Sequence, residues 1–204
     1  MKEVDSEKEF ATYLEDQRLQ YKRDYYVGPG NFDFRVETHC GPMFCDVKEI
    51  HDSDIESVGG IDAHLHLRGD IRKLRKKYKG KKLDGAVVLV AMNYSSNYFT
   101  GLTVARALLG DVGITFDRNT LKAGKPLHHI QKGNAVFTRN QNTSISGVFV
   151  FDRAHGKHCF FENPNAQNRM PRDLFHNLKF ITISRSTVGQ ELIDLGNAMF
   201  WNCG

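Results

Sequence analysis

Apolar residues recur at helical spacing from the start of the chain. Phe10 and Leu14, with Tyr13 and Gln17 beside them, predict an amphipathic helix over residues 4–20, which Asp5 or Ser6 can cap. Residues 21–27 read as a short strand, closed by Gly28-Pro29-Gly30. Alternation then sets in. Phe32, Phe34 and Val36 fall on one face, and Asp33, Arg35 and Glu37 on the other; a turn at Gly41-Pro42 leads back through a second strand to Ile50. Beyond a polar loop over 51–60, Ile61, Leu65, Ile71, Leu74 and Tyr78 share a helical stripe, giving a basic amphipathic helix. Gly69 inside it costs about 1 kcal/mol relative to Ala and marks a bend.

Residues 86–91 are continuously apolar, the pattern of a central strand buried on both faces. A helix over 98–109, ending at Gly110, and a strand over 112–116 follow. Residues 134–139, 145–151 and 159–162 are strand-like, and 188–201 form a final helix with Leu192, Leu195, Met199 and Trp201 apolar. Helices and strands in this order predict an α/β fold, a mixed central β-sheet flanked by helices. With no linker or repeat, 204 residues read as one domain. Its motif-bearing core is about 3–116, and the role of an extension over 117–204 is open.

Composition narrows the class only slightly. Hydrophobic residues make up 40% and charged residues 25%, no apolar run is long enough to cross a bilayer, and the polar N-terminus lacks a signal peptide's core. A cytoplasmic address is the default expectation. The four cysteines show no Cys-x-x-Cys spacing and read as reduced thiols, although Cys40 and Cys45 flank one turn. The net charge of +4 is mild, but its distribution is not: residues 68–82 hold nine basic side chains against one acid, Asp70. Such a block can supply sequence-independent phosphate contacts, and Arg68, Arg72, Lys73, Arg75 and Lys76 are the candidates.

The chemistry concentrates in the hairpin. Alternation places Asp46 and Lys48 on one face and Val47 on the other, and the pairing of two strands can bring Asp33 beside Asp46. Two acids and a lysine at a hairpin end suit a divalent metal acting on phosphodiesters. An opening helix with acids, a strand with Asp33, a strand ending Asp46-Val47-Lys48, a long basic helix and an apolar strand together resemble the PD-(D/E)XK nuclease superfamily over roughly residues 3–92. Asn31-Phe32-Asp33 departs from its pattern in lacking a proline before the first Asp.

The resemblance implies a restriction-endonuclease-like fold and a Mg²⁺- or Mn²⁺-dependent phosphodiesterase, endonuclease or exonuclease. It implies that Asp33, Asp46 and the Val47 carbonyl are ligands, and that Lys48 positions and polarises the attacking water. A helix-borne glutamate completes such sites, and Glu7 is the choice here, ahead of Glu9 and Glu3. The implied partner is nucleic acid, DNA ahead of RNA, with no membrane; a homodimer is consistent with the family. A second reading keeps the fold without the catalysis, as a nucleic-acid-binding or assembly subunit relying on the basic helix.

Other features point nowhere specific. His64 and His66, two apart on a helix, face about 200° away from each other and do not share a metal. His128-His129 has no acids nearby in sequence, and Asp152 with His155 reads as a turn. A Gly-x-Ser-x-Gly elbow and a phosphate-binding Gly-rich loop before Lys-Ser/Thr are both absent, which argues against a serine hydrolase and a P-loop NTPase.

Overall fold

The structure, a computed structural model, describes residues 5–27, 30–51, 63–95, 101–115, 127–131, 135–153, 156–176 and 178–182. Helix α1 (Asp5–Asp16) precedes three strands, β1 (Tyr21–Val27), β2 (Gly30–Thr38) and β3 (Gly41–Ile50). Helix α2 (Ala63–Lys77), strand β4 (Ala86–Asn93) and helix α3 (Gly101–Leu109) follow, then β5 (Asp111–Thr115) and β6 (Leu127–Gln131). Strands β7 (Gly147–Asp152), β8 (Lys157–Glu162) and β9 (Lys179–Thr182) complete the described elements. The expected C-terminal helix over 188–201 lies outside the described residues.

Seven strands form one mixed sheet in the order β1-β2-β3-β4-β7-β8-β9, and β5 and β6 form a separate antiparallel pair. The β1–β2 and β2–β3 pairs are antiparallel, while β3, β4 and β7 run parallel. Parallel strands need covered faces, and every residue of β4 is buried. Phe10, Ala11 and Leu14 of α1 pack with Phe34, Val36, Met43, Cys45, Val88 and Val90. Leu67, Ile71 and Leu74 of α2, with Val104 and Leu108 of α3, join Phe44, Val87, Leu89 and Ala91 in a second buried cluster. Among the described residues, no helix is long and apolar enough to cross a membrane.

Several expectations shift in detail. The hairpin turns at His39-Cys40, because Thr38 already pairs with Gly41; Gly41 and Pro42 open β3, and Gly41's φ of 113° suits glycine. Leu65 is 46% exposed and Leu67 takes the buried place expected for it. Six residues separate Leu65 from Ile71, which turns it about 240° from the stripe, whereas Leu67 is one turn away. Residues 135–139 form bends and a single bridge, Thr138 to Gln141, where a strand was expected. The residues past 120 include β7, β8 and β9, which continue the sheet from β4. Neither β6 nor β9 was expected.

Helix α2 runs without interruption through Gly69, and a Cβ there would meet nothing within 4 Å. A Gly69→Ala protein should gain about 1 kcal/mol, read as a higher urea midpoint at unchanged slope. An unchanged or lower midpoint would show that Gly69 serves local geometry.

Candidate active site at the fork between two strands

The site is built where β2 leaves the ladder. Pairing with β3 begins at Phe34–Cys45, and on the β1 side the register passes from Arg23–Phe34 to Tyr25–Phe32, skipping Asp33. Asp33 is thus one step beyond the last pair, at the level of Asp46. Phe32 does not stay on the face of Phe34 and Val36, as simple alternation predicts. It packs against Phe44 and Tyr78 on the α2 side, whereas Phe34 meets Phe10 and Tyr21. This change of face at Asp33 opens the fork.

Leaving the ladder strands the backbone of Val47, and side chains take up its polar groups. The Val47 N–H donates to Asp33 Oδ2 at 2.6 Å, and Lys48 Nζ donates to the Val47 carbonyl at 2.9 Å. Lys48 Nζ also lies 3.0 Å from Asp46 Oδ2. That contact is an ion pair whose angle leaves Oδ2, a fully buried oxygen, without a hydrogen bond. As expected, Asp46 and Lys48 share a face and Val47 points to the α1 side.

One member was not foreseen. Lys77, in the last turn of α2, donates to Asp46 Oδ1. Helix α2 reaches the site because its C-terminal backbone rests on β2: a Cβ at Gly30 would meet the Lys77 carbonyl oxygen at 2.6 Å, so only glycine allows the approach. The sequence signal was available: Lys77 is about 100° from Tyr78, on one flank of the buried stripe.

The electrostatics follow from the crowding. Burial and the neighbouring Asp46 raise the pKa of Asp33 above the ordinary carboxylate range, outweighing its hydrogen bond from Val47. Burial alone would lower that of Lys48, but Asp46 and Asp33 more than offset it, and the ammonium holds its proton more tightly than usual. Glu7 is also raised, by burial first and then by Asp33 and Asp24, so its charge is felt in the fork. Its helix is tied to β3 by Glu49, which accepts from the Ser6 N–H at 3.3 Å. Glu9 turns elsewhere, to Arg153 at 2.8 Å and the Tyr94 hydroxyl at 3.3 Å; Glu3 lies outside the described residues.

A hard divalent cation is often held by one or two carboxylates with water and a substrate phosphate. Asp33, Asp46 and the Val47 carbonyl could supply such a set, and Asp46 Oδ2, whose contact here is the Lys48 ammonium, has hydrogen-bonding capacity to spare. Among the described residues, no three or more His, Cys, Asp or Glu side chains are gathered as ligands. Glu7 therefore stands close enough to be felt, yet outside a preformed ligand shell.

The basic helix divides into unequal parts. Arg68 is corrected as a phosphate contact: at 2% exposure it donates to the Ala107 and Arg106 carbonyls, binding the C-terminal end of α3. Lys73 pairs with Asp70 at 2.9 Å. Arg72, Arg75 and Lys76 are exposed, as expected. Of the histidines, His64 is buried and His66 Nε2 lies 3.7 Å from Asp70 Oδ2, while His128 and His129 fall in β6. Cys40, Cys45 and Cys159 are free thiols, and Cys203 lies outside the described residues. Comparison with family models, with curated proteins and with solved structures finds no match to this chain.

Proposed function

We propose that the protein is a metal-dependent nuclease of the PD-(D/E)XK type, with Asp33, Asp46, Lys48 and Glu7 at its active site. One observation carries the reading. Lys48 Nζ stands 2.9 Å from the Val47 carbonyl and 3.0 Å from Asp46 Oδ2, so a single cation already bridges the two oxygens proposed as ligands. The order α1, three antiparallel strands, α2 and the parallel β4 agrees with a restriction-endonuclease-like core.

Asp33, Asp46 and the Val47 carbonyl would hold Mg²⁺ or Mn²⁺. When bound, such an ion lowers the pKa of coordinated water and offsets charge on the scissile phosphate. Lys48 swings from the two oxygens and directs its ammonium at the attacking water or a phosphate oxygen, where charge rather than bidentate geometry is needed. Glu7, on α1, would add a further carboxylate to the site from the other face of the hairpin. The fork excludes part of the solvent, since Asp46 is fully buried, which strengthens each of these contacts.

Lys77 has a distinct part here. Its amine on Asp46 Oδ1 competes with a metal for the same carboxylate. Lys77→Met is expected to tighten Mg²⁺ binding about tenfold by isothermal titration, roughly the 1.4 kcal/mol of a modest hydrogen bond to a charged group. Unchanged affinity would place the ion away from Asp46.

The direct test is cleavage of labelled single- and double-stranded DNA and RNA, with Mg²⁺ or Mn²⁺ and with EDTA. Cutting that EDTA abolishes is the expected result. Binding without cleavage under every condition would transfer the reading to a non-catalytic nucleic-acid-binding subunit.

A further inference from the structure

Exposed cations of α2 and of the turn that follows it are gathered on the flank away from Asp46. Arg72, Arg75, Lys76 and Lys79 line a groove of about 340 Å³, whose opposite wall carries Gln141 and Asn142. That wall is held in place: the Val136 and Phe137 N–H groups both donate to the Leu108 carbonyl, and Thr138 and Gln141 bond to each other. Asn142 is buried and donates to the Val136 carbonyl, and its φ of 55° fixes the turn.

Two facts separate this groove from a merely soluble face. First, no ion pair neutralises any of the four cations among the described residues, although Lys73 and Lys77 on the same helix have acids and Arg68 has carbonyls. Second, Arg75 and Lys76 stand three and four residues beyond Arg72 on the helix, so Arg72 faces like charge one turn away, an arrangement that costs helix stability, and Lys79 adds a further cation in the turn just past the helix end. No carboxylate lines the groove to relieve it. A chain of phosphates would.

We propose that this groove binds the sugar-phosphate backbone of a nucleic acid, as a second contact region across α2 from the Asp33–Asp46–Lys48 fork. As a substrate track it rests on the nuclease reading; as a binding site it does not. Helix α2 then separates the strand at the fork from the strand in the groove by about its own diameter, about 10 Å. The substrate that satisfies both is one whose backbone crosses the helix, long enough to leave several nucleotides beyond the reacting phosphate.

The test is fluorescence anisotropy in EDTA with a fluorescein-labelled 20-nucleotide DNA, single-stranded and as its duplex. Wild type is compared with Arg75→Gln/Lys79→Gln and with a pair of equal charge loss outside the groove, Lys22→Gln/Lys82→Gln, both exposed. Losing two phosphate contacts should lower the slope of log K against log salt by about 1.8 on the duplex and about 1.4 on the single strand, and weaken binding about 60-fold and about 25-fold at 0.1 M salt. The outer pair should stay near wild type. Equal weakening in both pairs, no weakening in the groove pair, or no binding by wild type would each overturn the groove. Cleavage assays on the same proteins separate the two readings. Groove-dependent binding without metal-dependent cutting removes the nuclease and leaves the groove, whereas cutting with a groove pair that binds like wild type removes the groove alone.

Discussion

Asp46→Ala is expected to lower nucleic-acid cleavage about a thousandfold or more, the equivalent of about 4 kcal/mol of transition-state stabilisation. The size follows from the position. Asp46 is fully buried, touches both Lys48 and Lys77, and lies beside Asp33, so its loss removes a proposed metal ligand and unseats two amines together. The fold should survive, because both lysine side chains are about 30% exposed and can turn into water once their acid is gone. Circular dichroism with a melting curve checks that, and a single-turnover cleavage assay reads the chemistry. Mg²⁺ titration of the same variant should show binding lost or weakened. A folded Asp46→Ala protein that cuts at the wild-type rate would put the chemistry outside the fork.

The largest stability effect is expected at Phe149. Its ring meets those of Phe10, Tyr13, Phe151, Phe160 and Phe175, joining α1 to β7, β8 and the chain that flanks the sheet at Phe175. Truncation there leaves a cavity walled by other rings that have no smaller packing to fall into. Phe149→Ala should cost about 3–5 kcal/mol, a large share of the 5–15 kcal/mol of a typical domain, read from urea unfolding. Tyr26→Ala, at a ring 72% exposed on β1, should change stability by no more than about 0.5 kcal/mol. Similar losses at both positions would mean that the aromatic cluster does not organise the core. Phe149 pairs with Val90 and Val90 with Val47, so the same variant tests whether the fork depends on the sheet behind it. While it remains folded, its cleavage should stay within a few-fold of wild type.

The amino-acid sequence alone places Asp46 and Lys48 on one face of the hairpin. A strand's period of two sends Asp46 and Lys48 one way and Val47 the other, whatever surrounds them. The Gly41-Pro42 turn expected from the sequence would have set Asp33 level with Ile50; the turn at His39-Cys40 is what sets it level with Asp46. The continuous apolar run of β4 announced a strand covered on both faces, and the stripe through Ile71, Leu74 and Tyr78 announced α2. Local backbone geometry imposes each of these periods, so each is present in the order of residues alone.

Other features depend on elements meeting, and no local period contains them. Phe32 crosses to the α2 side because β2 departs from the ladder at Asp33, and only the packed sheet determines where that departure falls. Arg68 reads as one more cation in a basic block until α3 brings its last carbonyls within reach. The same block is split by the roll of α2 into Lys77 at the acids and Arg72, Arg75 and Lys76 on the far flank, where Lys79 joins them from the following turn. Strand β9 has only four residues and no strong pattern, and acquires its place from β8 beside it. Sequence by itself determined which residue types alternate and recur, and hence the α/β class and the shared face of Asp46 and Lys48. Tertiary structure decided which oxygen each ammonium reaches and which cations stay free for a ligand, because a side chain's partner is set by the rigid placement of two elements, and backbone periodicity describes only one at a time.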